Sequence, residues 1–320
     1  MGQRNERLRS ILSRRGPKSA LPVLASLGVT ALVATILVAG PTGTASSGGL
    51  PKIDKKASEP TAPIAACAGR YDRVWSLDLP ADLPGTGGVE DALAKRALTM
   101  DRVWGLDENV TVSSGENGGR LTVRYPKDSI NPSSKDKRPL GGAGFVARLL
   151  PDDTERACLR YRVRFEDGFA FVRGGKLPGL YGGEAPSGGE KVDGTKGFSM
   201  RLMWRRDGEG EVYAYVANKQ TDYGASIGRG NWSFEPGRWM EIQQEVVLND
   251  PDRADGIVRV WIDGKQVIEQ TDLVYRTVAD AGIDGLMFST FFGGSSRKWA
   301  SPKDQTVDFD SIELFAGGAP

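Results

Sequence analysis

Two short runs, Phe198-Ser199-Met200-Arg201-Leu202-Met203-Trp204 and Glu211-Val212-Tyr213-Ala214-Tyr215-Val216, alternate with a period of two on either side of Asp207-Gly208-Glu209. That period sends successive side chains to opposite faces of a β-strand. Phe198, Met200, Leu202, Trp204, Val212, Ala214 and Val216 then share an apolar face, while Ser199 and Arg201, and Tyr213 and Tyr215, share a polar one. The chain must therefore build a sheet with one side in a core. If the runs pair as a hairpin, an odd loop centred on Gly208 sets Arg201 opposite Tyr215 and Met203 opposite Tyr213, all on one face. An even loop would separate Arg201 from the tyrosines.

The same kind of pattern extends along most of the chain. Short apolar or alternating runs at 73–79, 110–113, 120–125, 144–150, 158–165, 239–248, 257–262, 266–270, 285–292 and 306–315 join 198–205 and 211–217 as expected strands. Asp263-Gly264 between two of them is a two-residue hairpin signal. One helix is expected, over 89–102, where Ala, Leu, Lys and Glu accumulate. A dozen short strands with one helix predicts an all-β jelly-roll β-sandwich with a single core, over residues 67–320.

The N-terminus reads differently. Basic residues from Arg4 to Lys18 precede an uncharged, mostly apolar run over 20–39, which predicts a signal peptide or a membrane anchor within 1–40. Residues 41–66, dominated by Pro, Gly, Ser, Thr, Lys and Ala, read as a flexible linker. The remainder is expected outside the cytoplasm, secreted or held at the outer face of the membrane. Cys67 and Cys158, an even count in an exported chain, predict one disulfide.

Composition excludes whole classes of chemistry. The 320 residues contain no histidine, so histidine triads, histidine bases and histidine-ligated metals are ruled out. A net charge of +1 offers no general attraction to nucleic acid. No ligand cluster has metal spacing: the Asp residues of Asn249-Asp250-Pro251-Asp252 and Asp255 read as turn formers, and neither metal nor cofactor is expected. Two Gly-rich or polar loops, 182–197 and 221–232, flank the central runs; the first reads as mobile, and the second offers Tyr223, Arg229 and Trp232 for stacking on sugar rings.

The ordered set Gly174-Gly175-Lys176-Leu177-Pro178-Gly179-Leu180-Tyr181-Gly182-Gly183, the two central runs, Gly285-Leu286-Met287-Phe288-Ser289-Thr290-Phe291-Phe292-Gly293-Gly294 and Val307-Asp308-Phe309-Asp310-Ser311-Ile312 resembles polysaccharide lyase family 14. That resemblance spans about 163–315 and implies a jelly-roll enzyme cleaving alginate or another polyuronate by β-elimination. It places catalytic roles on Lys176, Arg201, Tyr213 and Tyr215, and substrate binding on Ser199, Arg173 and Tyr181. The chemistry needs no histidine. An arginine fork can hold the uronate carboxylate, and a tyrosine made more acidic by a nearby cation can take the adjacent proton. Which tyrosine is base and which acid, and whether Lys176 neutralises the carboxylate or serves as a base, stays open at this point. The implied partner is an acidic polysaccharide, and the chain is expected to act as a monomer. Two alternatives share the fold class: a non-catalytic carbohydrate-binding domain, and a glycoside hydrolase using the carboxylates of Asp308, Asp310 and Glu313.

Overall fold

A computed structural model describes residues 66–80, 88–97, 99–116, 119–133, 138–219 and 221–317. The expected signal or anchor and all but the last residue of the linker lie outside this set. Among the described residues the chain forms two antiparallel sheets. Numbering strands in chain order, one sheet contains β1 (Asp72–Ser76), β3 (Val110–Ser114), β4 (Gly119–Tyr125), β6 (Arg156–Phe165), β11 (Met240–Val247), β12 (Gly256–Ile262), β13 (Lys265–Leu273) and β15 (Gln305–Ala316). The other contains β2 (Thr99–Trp104), β5 (Ala143–Arg148), β7 (Gly174–Gly183), β8 (Gly197–Arg205), β9 (Gly210–Tyr215), β10 (Ala225–Ile227) and β14 (Gly285–Phe292), in the order β10-β9-β8-β7-β14-β5-β2. The inner faces interdigitate as one core in which Leu159, Tyr161 and Phe309 of the first sheet join Leu180, Met200, Trp204 and Phe288 of the second. This is the expected β-sandwich of jelly-roll type.

Each of the twelve expected strands falls on an observed one, because alternation against a single core leaves little freedom of assignment. Asp263 and Gly264 both take positive φ, the backbone of the tight turn that joins Ile262 to Lys265. The expected helix over 89–102 is corrected. Only Val89–Ala94 is helical, and Thr99–Trp104 instead pairs with β5 at the edge of the second sheet. Val103 and Trp104 have more to gain against that sheet than in an exposed helical turn.

The β8–β9 hairpin has an odd loop, Arg206–Gly208, so Arg201 and the tyrosines do share a face. Its centre is Asp207 rather than Gly208, with φ of 58° and 79° at these two residues. Arg201 therefore pairs with Tyr213 and Ser199 with Tyr215, two residues away from the expected register and on the same side.

The Gly-rich stretch is itself a central strand, β7, despite Pro178. Proline cannot donate to a ladder, and the pairing with β8 shifts between Leu177 and Gly179. The bulge matters because Lys176 and Tyr181 are an odd number of residues apart and would otherwise face opposite ways. With Pro178 extruded, Leu177 and Leu180 enter the core and Lys176 and Tyr181 face out. Gln244, fully buried on β11, satisfies the backbone groups the bulge leaves over: its carbonyl accepts from Leu180 N at 2.9 Å and its amide donates to Met200 O at 2.6 Å.

The Cys67–Cys158 disulfide is present and closes 91 residues of sequence. It lies on the outer face of the first sheet with Tyr71 and Phe315, and Cys67 N–H donates to Gln243 at 2.8 Å.

Candidate active site

The outer face of the second sheet carries a groove of about 1040 Å³. Its floor is the polar face predicted from the central runs. Lys176 comes from β7, Arg201 and Arg205 from β8, Tyr213 and Tyr215 from β9, and Met287, Ser289 and Phe291 from β14. Trp104 and Arg102 of β2 and Trp299 line it as well, and Tyr223, 61% exposed, stands on the β9–β10 loop.

Arg201 is the electrostatic centre. It is only 3% exposed, its Nε is buried with no hydrogen-bond partner, and its Nη1 reaches Ser289 Oγ at 3.4 Å. Burial pushes its pKa down to about 10, a shift opposed by negative charge on Tyr215 or Tyr213 and reinforced by Arg102. A guanidinium held this way is short of an anion.

Lys176, 8% exposed, places Nζ 2.8 Å from Met203 Sδ and 3.9 Å from the centre of the Tyr213 ring. Burial, then the charges of Arg201 and Arg205, push its ammonium well below the ordinary lysine range, against the pull of Glu211. Glu211, fully buried, is engaged by Arg205 at 2.6 Å and by Ser226, so it balances Arg205 beneath the groove and leaves Arg201 without a carboxylate of its own.

The two tyrosine rings meet edge-on, 5.7 Å between centres. Burial, then the neighbouring Tyr215, pushes Tyr213 up to about 12, against a backbone hydrogen bond from Gly224 and the charge of Arg201. Tyr213 thus holds its proton at neutral pH.

The structure brings Lys176, Arg201, Tyr213 and Tyr215 together as the sequence suggested, and sets the other three expected residues apart from the groove lining. Ser199 is fully buried and its hydroxyl donates to Pro186 O at 2.6 Å, fastening the loop over it. Tyr181 packs with Val146, Ala185 and Met287 beneath that loop. Arg173 is exposed at the entry to β7. Of the loop residues proposed for stacking, Tyr223 reaches the groove, Trp232 is buried in the core, and Arg229 pairs with Glu209 at 2.8 Å. Trp104, Arg205, Ser289, Phe291 and Trp299 were not singled out from the sequence. For Ser289 and Phe291 a signal existed, since both occupy alternate positions of the apolar run at 285–292.

The loop over 184–196 is pinned rather than free. Arg102 Nη1 donates to Ala185 O at 3.1 Å, Lys191 Nζ to Thr221 O at 3.0 Å and Gly189 N–H to Tyr215 Oη at 3.0 Å, while Val192 packs against Met203 and both tyrosines.

The carboxylates that suggested a hydrolase lie elsewhere. A bulge at Ser311, φ 52°, puts Glu313 on the same side as Asp308 and Asp310, contrary to a regular strand. That side is the outer face of the other sheet, where Asp308 binds Arg164 and Thr122, and Glu313 binds Arg73 and Arg160. The Asn249 turn is closed internally, the side chain donating to Asp250, Arg253 and Arg276 carbonyls.

Comparison with known proteins gives a consistent result. The sequence profile of the family described as Polysaccharide lyase 14 matches residues 113–312. The marine PL-14 alginate lyase from Aplysia kurodai is 32% identical, with 77% of this chain and 100% of that chain covered and a TM-score of 0.66. The fold is shared with alginate lyase Aly36B, at 22% identity over 77% and 98% of the two chains and a TM-score of 0.62. It is shared too with alginate lyase vAL-1 from Chlorella virus, at 20% identity over 77% and 100% and a TM-score of 0.59. No curated protein matches by sequence.

Proposed function

Because the chain belongs to polysaccharide lyase family 14, we propose that this polysaccharide lyase cleaves alginate by β-elimination, with the groove around Arg201 as its active site. The observation that carries the assignment of the site is the buried Arg201 guanidinium with an unpartnered Nε, which fits a uronate carboxylate arriving from the groove.

Binding of that carboxylate to Arg201 makes the hydrogen on the neighbouring C5 more acidic, because the negative charge that develops on its removal spreads into a carboxylate already neutralised. Tyr213, held protonated by burial, is the acid, and Tyr215 is the base. Tyr215 takes the C5 proton, the C5–H electron pair becomes the C4–C5 double bond, and the C4–O bond breaks. Its electron pair leaves on the glycosidic oxygen, which takes the proton of Tyr213. Lys176, with Nζ 3.9 Å from the centre of the Tyr213 ring, stands beside the phenolate left behind. Proton exchange with the solvent of the groove then returns Tyr215 to the phenolate and Tyr213 to the phenol and closes the cycle.

Acid and base on one strand approach the sugar from one side. That geometry suits a residue whose C5 hydrogen and C4 oxygen are on the same side of the ring, which is mannuronate rather than guluronate. Polymannuronate blocks are therefore expected to yield ultraviolet-absorbing unsaturated ends faster than polyguluronate blocks, and Tyr215→Phe to yield none from either. Full activity of Tyr215→Phe would remove Tyr215 as the base. A site of action outside the cytoplasm, free or anchored through 20–39, agrees with the basic-apolar N-terminus and with the Cys67–Cys158 disulfide; cell fractionation tests it.

A further inference from the structure

A phenolate formed in a half-buried groove needs a partner other than water, and cations alone are shared here. Arg201 is required by the substrate carboxylate, and Lys176 lies over Tyr213 rather than Tyr215. The main chain of the 184–196 loop supplies the missing donor, since Gly189 N–H points at Tyr215 Oη at 3.0 Å. Gly188 and Gly189 have φ of 64° and 94°, a backbone that side-chain-bearing residues rarely adopt and that turns this amide inward. The loop holds it there through Ser199 on Pro186 O, Lys191 on Thr221 O, Arg102 on Ala185 O, and Val192 against the ring pair.

Resting on the reading of Tyr215 as the base, we propose that the Gly189 amide is a positioning group that stabilises the Tyr215 phenolate, so that this loop sets the pH at which the enzyme becomes active. The amide donates to oxygen in either protonation state, and it is worth more to the anion, because hydrogen bonds to charged groups are stronger than those to neutral ones. The charged and titratable groups lining the groove with Tyr215 or standing on the loop are Arg102 on β2, Lys176 on β7, Arg201 and Arg205 on β8, Tyr213 on its own strand, Glu190 and Lys191 on the loop, and Asp222 and Tyr223 on the β9–β10 loop. None of them is altered when a backbone N–H is replaced.

The test is an amide-to-ester exchange at position 189 in the full chain, which removes the donor without adding a side chain, beside Gly189→Ala, which strains the positive φ and brings a Cβ within 3.2 Å of Asp222 O. The acidic limb of kcat/KM reports the base in the free enzyme. We expect the ester variant to move that limb up by about one to two pH units, with activity recovering at high pH, and Gly189→Ala to follow in the same direction. A limb that stays in place in the ester variant, or activity that falls equally at every pH, would overturn the role of the amide. Full activity of Tyr215→Phe would instead overturn the base itself, so the two failures are distinguishable.

Discussion

Lys176 and Arg201 place two basic groups in one buried neighbourhood, and burial together with their mutual repulsion disfavours charge on Lys176. For Lys176 the consequence can be read in the pH dependence of stability. Its folded pKa lies well below the unfolded value, so between the two the unfolded chain holds a proton that the folded chain has released. Stability therefore rises with pH across that window, and it falls again as the pH drops and the buried amine must charge. Lys176→Met abolishes this slope. The variant is expected to melt at higher temperature than the parent at about pH 6, with the difference shrinking toward pH 10. Thermal melts at the two pH values decide it, and an unchanged difference would mean that Lys176 is not the group that resists charging. Tyr213 works in the opposite sense: its proton is held to about pH 12, which keeps the acid loaded over the whole range in which the enzyme could work.

Strand β7 shows how one irregularity positions a site. Its bulge at Pro178 turns Lys176 outward, and Gln244 from the opposite sheet makes that bulge tolerable by pairing with Leu180 N and Met200 O. Gln244→Leu leaves two buried backbone groups without partners. The expected cost is about 2–5 kcal/mol of stability, together with a lower kcat as β7 shifts, both measurable in one preparation by denaturant titration and product absorbance. The alternating strands were legible in the sequence, since one apolar face dictates them, whereas the shared face of Arg201 with the tyrosines hung on whether the β8–β9 loop was odd or even, which the structure decides. β7 was not legible as a strand: five glycines and a proline argue against one by propensity, and the compensating residue lies far along the chain. The edge strand β2 was lost inside a helix-like composition, and the groove residues it contributes, Arg102 and Trp104, were lost with it. Ser199 was legible as polar-face but not as an anchor, because its partner, Pro186 O, belongs to a loop whose path the sequence does not encode by any period.

At the scale of the molecule, the sandwich separates its duties between two outer faces. One carries the groove. The other carries ion pairs such as Arg164–Asp308 and Arg160–Glu313 and the disulfide that ties Cys67 to β6. Replacing both cysteines by serine is expected to lower stability by about 2–4 kcal/mol, as for other long cross-linked loops, while kcat/KM at moderate temperature stays the same because the groove lies on the opposite sheet. Denaturant titration alongside the product assay checks both halves of that statement. The proposal that a buried guanidinium with an unpartnered Nε takes the substrate carboxylate is tested most directly by Arg201→Met assayed for unsaturated product ends from alginate and for melting temperature. The account predicts a loss of about 10²–10³-fold or more in activity with a melting temperature equal to or above that of the parent. Retained activity, or lost activity explained by a collapsed melting temperature, would contradict it.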